Sequence, residues 1–218
     1  MSAGAAPAVD GALPRPATKR RAPRRTSTAT LILYALAVGA GLGLSSAYLL
    51  VRRDFPIGGV RAGPWVAWPR VGSREADPYA RAIVARRGEV PLGVGEGLAF
   101  TAATDSAGQP LTATCEYRIG SVTPPARYWT LTLYDQTGRP ALGDLGRAGF
   151  TSGEIMREAD GRFAITLARD PAPGNWLRQP AAGPVRLVLR LYDTPVAAGS
   201  AALDAASLPA IERGVCAP

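Results

Sequence analysis

Histidine is absent from this chain of 218 residues, and lysine occurs once, at Lys19. Without histidine there is no Ser-His-Asp or Cys-His nucleophile, no histidine zinc ligand and no imidazole general base. Beyond residue 19 there is no lysine to form a Schiff base. Cysteine occurs twice, at Cys115 and Cys216. Charge is missing from one long stretch, residues 31–51, and that absence says most about where the chain works.

As a helix rising about 1.5 Å per residue, this stretch would extend roughly 30 Å, the thickness of a bilayer's hydrocarbon core. Arg15, Lys19, Arg20, Arg21, Arg24 and Arg25 precede it, and only Arg52 and Arg53 follow directly. The positive-inside bias therefore places the N-terminus in the cytoplasm and everything after Arg53 on the far side. A cleaved signal peptide or a twin-arginine export signal competes with this reading, because Arg20-Arg21 and Arg24-Arg25 stand upstream. A signal's apolar region is shorter, about 7–15 residues, and ends at a small-residue cleavage site. Here the run continues through Tyr48, Leu49, Leu50 and Val51 to Arg52-Arg53, as a stop-transfer boundary does. The adopted reading is a retained single-pass anchor in a bacterial inner membrane with the C-terminal part in the periplasm. The skew to Ala, Gly, Pro and Arg reads as a GC-rich bacterial genome.

The net charge of +8 first points to nucleic acid, but its distribution does not. From Asp54 onward there are 17 arginines and 16 carboxylates, a balance of +1, with no basic stripe. Nucleic acid is therefore not an expected partner. The basic excess serves topology and contact with the inner membrane. An even cysteine count in an oxidising compartment favours a Cys115–Cys216 disulfide. A buried Cys115 with a free thiol at Cys216 is the alternative.

Four regions follow. Residues 1–30 form a basic cytoplasmic tail without apolar periodicity, expected to be disordered. Residues 31–51 are the transmembrane helix. Residues 52–76 are a stalk rich in Pro and Gly, with Trp65 and Trp68 at the membrane interface or against the domain. Residues 77–218 make one periplasmic domain of ordinary size. That domain opens on a short helix, with Asp77 as N-cap, Pro78 at the first position, Tyr79, Ile83 and Arg86 at helical spacing, and Gly88 as the stop.

After Gly88 the period becomes two. Leu111, Ala113, Cys115 and Tyr117 alternate with Thr112, Thr114, Glu116 and Arg118. The same pattern recurs at Leu98-Phe100-Ala102, Trp129-Leu131-Leu133, Phe163-Ile165-Leu167 and Val185-Leu187-Leu189-Leu191. Turn signals separate these runs at residues 105–108, 135–138 and, as a two-residue hairpin, Asp160-Gly161. Short strands with one apolar face each predict a mainly β domain, an antiparallel β-sandwich.

The runs Cys115-Glu116-Tyr117-Arg118 and Ala126-Arg127-Tyr128-Trp129-Thr130-Leu131-Thr132-Leu133-Tyr134-Asp135 resemble the bacterial family called domain of unknown function 1214 (DUF1214). So do Asp160-Gly161, Pro173-Gly174-Asn175-Trp176-Leu177 and Leu187-Val188-Leu189-Arg190-Leu191-Tyr192, in that order. Asp77-Pro78-Tyr79 and residues 211–216 look like its short, membrane-anchored form. The resemblance covers nearly all of residues 75–218. It implies a jelly-roll-like sandwich and association with a separate partner protein carrying the domain of unknown function 1254.

Chemistry has few places to reside. Gly93-Val94-Gly95-Glu96-Gly97 lacks a following helix and a Walker lysine, so it reads as a loop leading into a strand. Gly143, Gly146 and Gly149 indicate a mobile loop. Glu116, Asp135 and Asp193 are the carboxylates available for acid/base work, as in a hydrolase of envelope glycans or phosphodiesters. Turn and solvent-face roles account for each of them better. No cofactor and no metal is expected.

A binding face is the leading reading. Tyr128 and Tyr134 stand opposite the apolar face of their strand, and Arg186, Arg190 and Tyr192 likewise on theirs. Tyrosines interleaved with arginines suit an envelope glycan, a lipid or an acidic protein surface. The alternative is a partly buried second face whose arginines pair with Asp135 or Glu116. Trp176 is either a core plug or a rim contact, with Asn175 beside it as a turn residue. The functional expectation is a non-enzymatic envelope binding or accessory module.

Overall fold

The computed structural model describes residues 27–52, 59–142, 146–197 and 204–217. The tail expected to be disordered lies outside the described residues up to residue 26, and residues 28–30 already belong to a helix. That helix, α1 (Thr28–Arg52), buries none of its side chains. Among the described residues it is the one helix long and apolar enough to cross a membrane, a property shared by anchors and signal sequences.

Residues from Ser45 onward belong to a second unit, in which two sheets share one core. The first sheet runs in the order β1 (Val60–Ala62), β2 (Trp65–Ala67), β3 (Gly97–Ala102), β9 (Arg186–Tyr192), β5 (Tyr128–Tyr134), β6 (Gly149–Thr151). The second runs β10 (Ala210–Cys216), β4 (Cys115–Ser121), β7 (Phe163–Ala168), β8 (Asn175–Arg178). Period-two sequence places Phe100, Leu131, Leu187 and Leu189 inward from one sheet, and Tyr117, Ile119, Ile165 and Leu167 inward from the other. Trp129 stacks on Phe163 across the two layers at 5.1 Å between centroids.

Several expectations need correction. The stalk is partly folded: residues 60–67 form a β1–β2 hairpin on the edge of the larger sheet. Trp65 is fully buried, pairs with Ala102, and donates its indole N–H to the Pro209 carbonyl at 2.8 Å. Three-residue strands leave too short a period to read among prolines and glycines. The strand expected from Leu111 begins only at Cys115, because the Cys115 N–H closes a turn onto Thr112. Leu111 and Ala113 are buried all the same. Gly149 lies in β6, where a Cβ would stand 2.1 Å from the Leu131 carbonyl oxygen, so it serves close strand approach. Gly143 lies outside the described residues.

The sheets are also not purely antiparallel, since β8 runs parallel to β7. A parallel neighbour normally needs a crossover of a dozen or more residues. Here residues 169–174 suffice, and Asn175 holds the returning strand. Its side-chain oxygen accepts from the Met156 N–H at 2.8 Å, while its amide donates to the carbonyls of Met156 and Ala164 at 2.8 and 3.0 Å. Asn175 is thus a buried clamp and not a turn residue. Leu177 takes the core position, and Trp176 points away from it, donating to the Ala168 carbonyl at 3.2 Å.

The helix expected after residue 76 is α2 (Pro78–Arg87). The Asp77 carboxylate accepts from the N–H groups of Tyr79 and Ala80, and Gly88 closes the helix at φ 65°. Ala80 and Ile83 form its buried side, while Tyr79 is exposed. Cys115 and Cys216 are bonded, joining β10 to β4 where the two strands pair.

Candidate functional site

The outward face of β5 and β9 carries the residues singled out from the sequence. Antiparallel register sets Tyr128 opposite Tyr192, Thr130 opposite Arg190 and Tyr134 opposite Arg186. The Tyr128 and Tyr192 rings approach to 6.0 Å between centroids at a tilt of 46°. Arg190 leans along the strand to donate to the Tyr134 hydroxyl at 3.1 Å, its guanidinium 5.8 Å from that ring's centroid. Five of the six proposed binding residues therefore share one face. Trp176 does not, because β8 belongs to the other sheet.

Part of this face is covered. Val188 points outward by the pleat yet is buried, because residues 68–71 and 84–92 lie over β3 and β9. Arg186 pairs with Glu89 at 3.4 Å, both side chains about three-quarters buried. The expectation that the arginines pair with Asp135 or Glu116 is thus corrected: the partner of Arg186 comes from the segment after α2. Between the covering segment and the sheet lies a shallow cleft, open to solvent. Aliphatic side chains line most of it, with Glu89 and Arg190 as its charged members.

The three candidate carboxylates do not meet. Asp135 follows the end of β5, and Asp193 follows Tyr192, which pairs with the start of β5. Seven strand residues separate them, on the order of 20 Å. Glu116 is exposed on β4 in the other sheet. Asp135 is occupied locally, accepting from the Thr137 hydroxyl at 2.7 Å and the N–H groups of Thr137 and Arg139. The Thr137 hydroxyl, with those amides and the Arg139 charge, outweighs partial desolvation and holds its carboxyl below the usual value. Asp193 takes a left-handed backbone, φ 48°, and its exposed carboxylate lies 3.8 Å from an equally exposed Arg127.

Asp105, read from the sequence only as the start of a turn, repeats the Asp135 turn and adds a long-range partner. Its carboxylate accepts from the Ala107 and Gln109 amides and, at 2.7 Å, from the Arg213 guanidinium on β10. Burial pushes this carboxyl up, but the Gln109 amide, the Arg213 hydrogen bond and charge, and the Ala107 amide outweigh it. The folded value is therefore lowered. The stabilisation is complete above the unfolded value of about 3.9 and is lost as pH falls through the folded value. Urea titrations are expected to show the midpoint of the wild-type chain falling below about pH 4. Asp105→Asn should flatten that fall without abolishing it, because Asp135 contributes in the same direction. An unchanged pH slope in the variant would remove Asp105 from the account.

The turn signals read from the sequence at Asp105 to Gly108 and Asp135 to Gly138 are one repeated Asp-x-x-Gly, but neither announces the partner on β10. In both turns the glycine N–H returns to the aspartate carbonyl and its φ is near 80°. Asp160-Gly161 belongs to the same geometry, since Gly161 bonds back to Glu158 at φ 83°; it is the end of a longer turn and not a two-residue hairpin. Glu89 and Gln179 had no local signal. Gln179 is buried and donates to the Cys115 carbonyl at 2.7 Å, a contact made only by the fold.

No curated protein matches the chain. Among solved structures, the VPA0106 protein of Vibrio parahaemolyticus superposes with a TM-score of 0.54 at 20% identity, over 87% of this chain and 46% of that one. A putative uncharacterized protein from Burkholderia cenocepacia matches at 17% identity with a TM-score of 0.38, over 80% of this chain and 50% of that one. The chain thus spans about half the length of these structures. The first likeness concerns the fold. Residues 96–196, from the loop before β3 to the end of β9 and just past it, match the family described as protein of unknown function (DUF1214).

Proposed function

We propose that the chain is a single-pass inner-membrane protein whose jelly-roll-like domain works in the periplasm as a non-enzymatic binding or accessory module. The observation that carries this reading is the face holding Tyr128, Tyr134, Arg190 and Tyr192. It offers paired aromatic rings and a guanidinium beside a cleft. Such a surface serves recognition, with aromatic bodies supplying area and arginine supplying direction. The separation of Glu116, Asp135 and Asp193 gives a carboxylate-pair hydrolase no support. The apolar α1, the arginine asymmetry around it and the Cys115–Cys216 bond support the compartment. The occupant of the face is an envelope glycan, a lipid or a partner protein, for which the family resemblance indicates a chain carrying the domain of unknown function 1254.

The test uses the full chain in spheroplasts. Added protease is expected to digest the domain beyond Arg53 and to spare the N-terminal tail. A photocrosslinking Tyr128→p-benzoylphenylalanine variant should give a discrete adduct, while the same group replacing Arg118, on the opposite sheet, should give none. A protected domain overturns the topology. Equal adducts from both positions, or none from position 128, overturn the binding face.

A further inference from the structure

The cleft beside β9 has a composition that selects among ligands. Val71, Val84, Leu92 and Val188 line it, and Val90, 86% exposed, stands at its mouth. An aliphatic side chain left that open gains by covering it, at about 25 cal/mol for each Å² of apolar area removed from water. The two charged residues are in unequal positions. Glu89 is neutralised by Arg186 at 3.4 Å. Arg190 is half-buried, and among the described residues its polar partner is the neutral Tyr134 hydroxyl. No described carboxylate pairs with it. Among the described residues, Arg190 is thus a positive charge without a carboxylate partner, set against an apolar wall.

We infer that this cleft is a binding site for a small monocarboxylic acid with an aliphatic body, the carboxylate held by Arg190 and the body lying against Val84, Val90 and Val188. The inference rests on the outer face being the binding face and adds the class of its ligand. A planar guanidinium matches a carboxylate through two parallel N–H···O bonds. The hydroxyl of Tyr134 holds one edge of the guanidinium, which limits the freedom lost when the acid binds. A doubly charged phosphate fits less well, because Glu89 lines the same cleft and one guanidinium cannot balance two charges.

The experiment titrates hexanoate into the full chain in lipid nanodiscs, with empty nanodiscs subtracted, and follows binding by saturation-transfer NMR. Hexanoate should bind saturably, and hexanamide, equal in shape but neutral, at least tenfold more weakly. Arg190→Gln should lose at least tenfold, and Arg190→Lys should fall between. Val90→Asp, at a position too exposed to affect folding, should weaken hexanoate severalfold by placing a like charge at the mouth. Equal binding of hexanamide, or undiminished binding by Arg190→Gln, overturns the inference. So does a hydrophobic peptide with a free C-terminal carboxylate that binds tenfold more tightly than hexanoate, since the ligand would then be a protein terminus. Failure of hexanoate alongside a discrete adduct at position 128 sinks the ligand class alone. Failure of both sinks the binding face with it.

Discussion

Replacing Cys216 with serine is expected to remove about 4–5 kcal/mol of stability. The bond closes a loop of 101 residues by sequence separation, and chain entropy alone assigns it that magnitude. The loss should act through the unfolded chain, because β10 keeps other attachments. Ile211 is fully buried, Arg213 holds Asp105 at 2.7 Å, and the Ala217 N–H donates to the Thr114 carbonyl at 2.7 Å. Urea unfolding of the full chain in nanodiscs measures the effect. Reductant added to the wild type should reproduce the variant's midpoint, because Cys216 is on the exposed side of the pair. A variant as stable as the oxidised wild type would mean that the bond contributes nothing to the unfolded-state entropy. Out of a typical total of about 5–15 kcal/mol, a loss of the expected size leaves a marginal domain. It would tie this chain's folding to an oxidising compartment.

The second large effect is expected at Trp65. Its conversion to alanine should cost about 3–5 kcal/mol, the range for emptying a fully buried aromatic site. The indole contributes core volume, and its N–H satisfies the Pro209 carbonyl ahead of β10. The comparison is Val60→Ala on the neighbouring strand, where the side chain is 39% exposed and the expected loss is under about 1 kcal/mol. Urea midpoints of the two variants decide whether residues 60–67 belong to the fold. If Trp65→Ala leaves the midpoint where Val60→Ala does, the hairpin is not part of the cooperative unit. The boundary would then return to residue 77. A large loss places the domain boundary before residue 60.

How much was legible follows from what each strand needs. β3, β5, β7 and β9 have one face on the core and at least five residues, enough for alternation to emerge from the sequence. β1, β2 and β6 have three residues each, and β8 has four, too few for a period. β10 directs a single large apolar side chain, Ile211, into the core and exposes the rest, so its membership rests on pairing with β4. The helix ends were legible because capping is local. Asp77, Pro78 and Gly88 each act within a few residues of themselves.

The candidate site divides in the same way. That Tyr128, Tyr134, Arg190 and Tyr192 share a face follows from period two within each strand and needs no tertiary knowledge beyond the pairing of β5 with β9. The sequence by itself therefore determined the apolar helix, the alternating strands, the capped α2 and the composition of the outer face. Each depends on neighbours within one or two turns of chain. Only the tertiary structure decided that Glu89 meets Arg186 across 97 positions and that Trp65 closes the core. It alone decided that Asn175 clamps a parallel strand, and that Asp135 and Asp193 stand at opposite ends of β5. Contacts of that range are chosen by which buried groups find partners once the sheets close, and no local pattern in the chain encodes the choice.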